Sequence, residues 1–260
     1  MFKLALSAGH GRYTAGKRCP AFLDPNETRE WVLNSRICEK IEALLAEYEV
    51  EILRLDDRDG KRDVPLRERT DAANRLGADL YLSIHHNAGI AGGDGGGIVA
   101  YVYPSVDETT LTYQREFYEK TIEKTGLSGN RATPLAQKDL WELRKSSMPA
   151  VLLECGFMDS ATDINYILSE SFADGIASAC AEVIIARVGK KPSAPAPACF
   201  KKYEGDTVSI VMALKSVGAD SSYAHRRKIA AANNIENYTG TAEQNLHMLS
   251  LLKKGALIKP

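Results

Sequence analysis

Short apolar runs and longer amphipathic stretches take turns along residues 2–188, and the two kinds differ in period. Phe2–Ala8, the run Leu80, Tyr81, Leu82 and Ile84, and Ala150–Leu153 are almost continuously apolar, as strands covered on both faces must be. Val50, Ile52, Leu53 and Leu55 are interleaved with charges, which predicts a strand over 49–55 near a sheet edge. Residues 98–103 are β-branched and aromatic and predict another strand. Between these runs the spacing becomes helical. Trp31, Leu33, Ile37, Ile41 and Leu44 fall on one face of a helix that starts at about Glu27 or Thr28. Pro65 opens a second helix through Leu66, Ala72, Ala73 and Leu76, with Gly77 in the C-cap position. Residues 109–125 and 161–188 predict long helices, the latter with Ser160 as N-cap and Asp163 three residues on. Strands alternating with helices at these lengths predict an α/β fold: a mostly parallel twisted sheet flanked by helices.

The pattern changes after residue 188. Residues 189–197, G-K-K-P-S-A-P-A-P, predict an extended linker. Beyond it, residues 198–260 form a small, mainly helical C-terminal module, with helices over 208–217, 224–232 and 242–254. The expected domains are therefore 1–188, 189–197 and 198–260. The overall net charge of −1 argues against a nucleic-acid binder. The module, with nine Lys/Arg against five Asp/Glu, is nevertheless basic, which suits an anionic polymer. Five cysteines without C-x-x-C spacing predict reduced thiols rather than a disulfide framework. No stretch predicts membrane insertion, and Phe2–Ala8 is too short for a signal peptide. The expectation is synthesis in the cytoplasm, with release by a separate partner if the target lies outside the membrane.

Chemistry in open α/β sheets collects at the carboxyl ends of strands. Three apolar runs end there in reactive residues: the first in Gly9-His10, the second in His85-His86-Asn87, the third in Glu154. Two histidines and a carboxylate so placed predict a metal site with a catalytic acid. A hydrolytic zinc takes three protein ligands and leaves a position for water. The first helix offers Glu27 and Glu30 as the third ligand; they share a face at i, i+3, and spacing does not choose between them. The glycine run at 92–97 lacks the following helix and Lys-Ser/Thr of a phosphate cradle. Cys155 has no evident histidine partner and reads as a buried, inert thiol.

The strings S-A-G-H-G, E-W-V-L-N, A-D-L-Y-L-S-I-H-H-N-A and L-R-K-S-S-M-P-A-V-L-L-E-C-G-F resemble, in that order, the zinc-dependent N-acetylmuramoyl-L-alanine amidases of the amidase-3 family. The resemblance covers residues 2 to about 188. The G-K-R-C-P segment after His10 resembles the variants of phage endolysins and prophage lysis genes. The resemblance implies a peptidoglycan hydrolase that cleaves the amide between N-acetylmuramic acid and L-alanine. It also implies Zn2+ held by His10, Glu30 and His85, with Glu154 as catalytic base. Glu30 is favoured because the family's ligand precedes a helix asparagine by four, here Asn34. His85 is favoured because the family's ligand follows a serine-isoleucine pair. The chain departs from the family in lacking an aspartate-proline before Gly9-His10 and in a long loop before Glu30. The expected partners are bacterial peptidoglycan as substrate, a wall ligand for the module at 198–260, and a holin-type protein for release. A zinc peptidase cutting stem-peptide bonds, and a non-catalytic wall-binding protein on the same scaffold, are the competing readings. Dimerisation is the competing role for the module.

Overall fold

The computed structural model describes residues 1–190 and 197–260. Most of the expected linker, residues 191–196, lies outside the described residues. The chain divides into two compact units, Met1–Lys191 and Pro192–Pro260.

In chain order the first unit contains β1 (Phe2–Ala8), α1 (Glu30–Leu45), β2 (Val50–Arg54), α2 (Leu66–Leu76), β3 (Leu80–Asn87) and β4 (Ile98–Val102). It continues with α3 (Glu108–Thr125), β5 (Leu135–Gln137), α4 (Trp141–Lys145), β6 (Ala150–Phe157), α5 (Ile164–Ile167) and α6 (Glu170–Ile185). The strands form one sheet in the order β2-β1-β3-β6-β4-β5. All pairs are parallel except β4 with β6. Parallel neighbours β1, β3 and β6 are joined through helices, so their carboxyl ends emerge at one edge of the sheet. The charge-studded strand β2 lies at the edge, as its pattern predicts.

Alternate strand residues feed two cores, because successive side chains point to opposite faces. Leu4, Leu6, Leu80, Leu82, Ile84, Val151 and Leu153 pack on one face with Ile37, Ile41, Phe117, Phe172, Ile176 and Ile184 from α1, α3 and α6. Ala5, Tyr81, Ala150 and Leu152 pack on the other with Ala73 of α2 and Leu143 of α4. Covering both faces explains why the central strands read as continuous apolar runs.

Three local expectations differ from the structure. Helix α1 begins at Glu30, not at 27 or 28. The Asp24 carboxylate accepts the N–H groups of Asn26 and Thr28, and Glu27 has φ 46, which breaks any helical entry there. The long helix over 161–188 is two helices. Ser160 Oγ accepts the Asp163 N–H, but Ser169 is extended and caps α6 by accepting from the Phe172 N–H. Finally, β5 and α4, of three and five residues, occur where the sequence pattern signals no element.

In the second unit, α7 (Ile210–Ser216), α8 (Tyr223–Ala232) and α9 (Ala242–Lys254) surround Phe200, Ile210, Leu214, Ile229, Met248 and Leu252. A capping box between Thr241 and Gln244 starts α9, and Gly255 in the left-handed region ends it. Asn233 binds both backbone groups of Ile258 and ties the chain end to α8. His225 packs edge-on against Phe200, and His247 is exposed.

Candidate metal centre

The site grows out of the turn after β1. Gly9 is there for lack of a side chain: a Cβ at this position would fall 2.1 Å from His85 Cε1. His10 follows with φ 65, a left-handed conformation held by its surroundings. The buried guanidinium of Arg69 on α2 donates to the carbonyls of Ala8 (2.7 Å) and His10 (3.1 Å), and also to Ser7 Oγ and Val64 O. Asn34 Nδ2 donates to Gly9 O at 3.2 Å. Arg69 and Asn34 thus fix the backbone that carries His10.

Glu30, wholly buried, is the first residue of α1, where the helix dipole favours a carboxylate. Its Oε2 lies 3.4 Å from His10 Nε2, and its Oε1 lies 3.1 Å from His85 Nδ1. Ligand atoms of His10, Glu30 and His85 all fall within 4.8 Å of one another, the one such cluster of His, Cys, Asp and Glu among the described residues. His86 does not join it. Pointing to the other face of β3, it is buried, with Nδ1 at 2.7 Å from Asn34 Oδ1. Glu27 stays outside as well, paired with Arg18. Glu154 on β6 is the direct register partner of His85. It faces, together with Glu30, His85, Lys17 and Asn87, a cleft of about 290 Å3. A second cleft of about 380 Å3 on the His10 side is lined by Asp63, Val64, Leu66, Arg69 and His85.

The residues fit a cation. Glu30 Oε2, which lies near His10 Nε2 and Lys17 Nζ, and Glu154 Oε2 are shielded from solvent and make no hydrogen bond. Unsatisfied buried polar atoms are costly and call for a missing partner. Two imidazoles with one carboxylate form a donor set suited to a divalent metal.

The electrostatics differ sharply from group to group. Burial lowers His10 to about 4, so its imidazole is neutral at physiological pH. Burial would also lower His85, but hydrogen bonding and charge from Glu142 and Glu30 outweigh it and raise His85 to about 10. Burial opposes ionisation of Glu30, yet His85, His10 and Lys17 bring it down to about 2. Glu154 has no such compensation; burial, with the Glu30 charge adding, raises it to about 7 despite His85. A carboxyl poised there can exchange a proton near neutrality.

Glu154 is not paired with the basic residues of α4, since Arg144 binds Asp139 instead. Burial pushes the Cys155 thiol well above its ordinary range, which leaves it protonated. Residues 15–17 of the loop after β1 line the cleft. The loop at 89–91 is tied down by the Asp159 carboxylate, which accepts three successive backbone N–H groups. The residue that sequence reasoning missed is Glu142, which reaches His85 from α4. Its signal was a lone acid among Leu140, Trp141 and Leu143, too short a pattern to stand out.

The family profile described as Amidase_3, N-acetylmuramoyl-L-alanine amidase, matches residues 4–186. A sporulation-specific N-acetylmuramoyl-L-alanine amidase of Bacillus subtilis is 35% identical over 178 residues, 68% of this chain and 64% of that protein. An endolysin of Bacillus phage SPP1 is 34% identical over 200 residues, 74% of this chain and 69% of the endolysin. The chain thus spans just under two thirds of the sporulation amidase's length. The fold is shared with the crystal structure of an N-acetylmuramoyl-L-alanine amidase from Clostridium difficile 630, at a TM-score of 0.63 and 22% identity, covering 71% of this chain and 95% of that one. It is shared also with the catalytic domain of CwlV from Bacillus (Paenibacillus) polymyxa var. colistinus, at a TM-score of 0.62 and 22% identity, covering 72% and 97%. The chain belongs to the Amidase_3 family of N-acetylmuramoyl-L-alanine amidases.

Proposed function

We propose that the first unit hydrolyses bacterial peptidoglycan at the amide between N-acetylmuramic acid and the L-alanine of the stem peptide. His10, Glu30 and His85 would hold a zinc ion, and Glu154 would act as general base and then general acid. The observation that carries this reading is the convergence of those three ligands beside Glu154, with buried atoms left unpartnered. When bound, zinc supplies charge that polarises a carbonyl and lowers the pKa of water towards about 7.

The chain's own groups do the rest. Glu154 takes a proton from the attacking water and delivers it to the leaving amine, so that the peptide departs as a neutral amino terminus. Lys17, half-exposed at the cleft, presents a cation to the carboxylates of a stem peptide. The His10-side cleft offers Val64 and Leu66 as apolar surface next to the scissile position.

Mass spectrometry of digested peptidoglycan tests the assignment. Released peptides should begin with L-alanine, and the N-acetylmuramic acid residues of the intact glycan should carry free lactyl carboxylates. Products cut within the stem would mark a peptidase and overturn the amidase reading.

The second unit, with its own core and a basic excess, fits a wall-binding role that raises the local concentration of enzyme on its polymer. Purified walls should retain the full chain and lose a chain ending at residue 190. Equal retention would refute that role. Delivery to the wall through a separate pore-forming partner belongs to the same reading. Expression inside bacteria should lyse them only when such a partner is supplied.

A further inference from the structure

Glu142 lies outside the ligand set proposed above, yet its carboxylate is aimed at that set's most enclosed member. The side chain is 5% exposed. Its Oε1 accepts the Tyr81 hydroxyl at 2.6 Å and lies 3.3 Å from Ser83 Oγ. Its Oε2 stands 3.7 Å from His85 Nε2. On the opposite side of the ring, His85 Nδ1 is 3.1 Å from Glu30 Oε1. The imidazole is therefore held between two carboxylates, one facing each nitrogen. Nε2 is sealed from solvent, and the acceptor facing it is Glu142 Oε2.

Burying a carboxylate costs several kcal/mol unless its surroundings repay it. The donors at Oε1 are the neutral hydroxyls of Tyr81, Ser83 and Ser7, and the Arg69 guanidinium binds Ser7 Oγ rather than the carboxylate itself. That environment is a weak reason to keep a charge here if packing were its only role. An imidazole that gives one nitrogen to a metal carries its proton on the other, and a buried N–H needs an acceptor. A carboxylate in that position fixes the tautomer and ring angle and makes the ligand nitrogen more basic.

We propose that Glu142 is a positioning residue: it holds the His85 proton on Nε2 and so presents Nδ1 to the metal shared with His10 and Glu30. The inference rests on the metal reading above. It adds the outer carboxylate of that centre, supplied by α4, and a defined tautomer for His85. Tyr81 and Ser83 in turn aim the carboxylate.

The test uses the full chain, with zinc affinity measured by competition against a chromogenic chelator. It also uses nitrogen-detected NMR of the histidine rings in zinc-loaded protein. Wild type should show a slowly exchanging proton on His85 Nε2. Glu142→Leu should weaken zinc binding about 10–100-fold and lose the protected ring proton. Glu142→Gln, which can turn its carbonyl towards Nε2, should stay within a few-fold of wild type. A purely structural Glu142 would instead lower the melting temperature of metal-free protein and leave zinc affinity unmoved. Equal affinity in all three proteins, or a ring proton on Nδ1, overturns the proposal. If the leucine variant does not fold, the wild-type ring-proton assignment decides alone. A wild-type chain that takes up no zinc refutes the metal reading itself, a result distinct from wild type and variants binding alike.

Discussion

Gly9→Ala places one methyl group where the structure has room for none. The new Cβ would lie 2.1 Å from His85 Cε1, 2.3 Å from Nδ1 and 2.5 Å from Nε2, whereas ordinary contact begins at 3.4 Å. Gly9 is not among the residues with positive φ, so alanine is tolerated by the backbone and the conflict is confined to the ring. To relieve it, the imidazole or the turn must move by about 1 Å, several times the roughly 0.2 Å tolerance of a metal–ligand distance. Overpacking of this kind costs about 1–3 kcal/mol of folding stability. The larger effect falls on the metal, with zinc affinity expected to drop at least about tenfold, or 1.4 kcal/mol. Chelator competition reads the affinity, and thermal melting in excess chelator reads the packing cost separately. An alanine variant that binds zinc within about twofold of wild type, and melts with it, would show that the ring does not press on this turn.

Other substitutions separate chemistry from architecture. Glu154→Gln should lower kcat by about 10²–10⁴-fold while zinc binding stays intact, as single-turnover assays and chelator competition would show. In wild type, kcat/KM should fall on the acid side as Glu154 gains its proton. Burial sets that group at about 7 without metal, and a nearby cation favours the ionised form, so the acid limb should lie below 7 in zinc-loaded enzyme. Arg69→Met removes a buried guanidinium with five backbone and side-chain acceptors and should cost about 3–5 kcal/mol in urea unfolding. Asp56 is raised by burial, but the hydrogen bond and charge of Arg54 outweigh this and hold its carboxyl below the ordinary range. Its contribution should be complete above about pH 4, the unfolded value, and fade as acid passes through the folded one. The stability gap between wild type and Asp56→Asn should therefore shrink at low pH, as urea midpoints at several pH values would show. Saturating zinc should raise the unfolding free energy by about 4 kcal/mol at a thousandfold excess over Kd, and a chelator should reverse the gain.

The reactive positions were legible because β1, β3 and β6 are buried on both faces and their apolar runs are broken at His10, His85 and Glu154, although β3 runs on to Asn87 and β6 to Phe157. The choice between Glu27 and Glu30 was not legible from spacing. Asp24, drawing in the N–H groups of Asn26 and Thr28, delays the helix until Glu30 is its first residue. His85 and His86 alternate across the strand, but which face meets α1 is a tertiary fact, and the pairing of His86 with Asn34 expresses it. Helix α4 escaped notice because five residues are too few to display a helical period. The break before Ser169 escaped because the apolar stripe runs on across it, and only the local cap reveals it.

The reversed strand β4 has a consequence for how such a site can vary. Because β4 runs against β6, with Val99 opposite Glu154, the chain leaving β3 must pass over the rim before it descends. The span between Asn87 and Ile98 is anchored at its start by Asp159 and at its end by Asp163, which accepts the Gly97 N–H. The segment between those moorings supplies none of His10, Glu30, His85 or Glu154. Insertions or exchanges there can reshape what approaches the centre and leave the reactive residues where the strands put them.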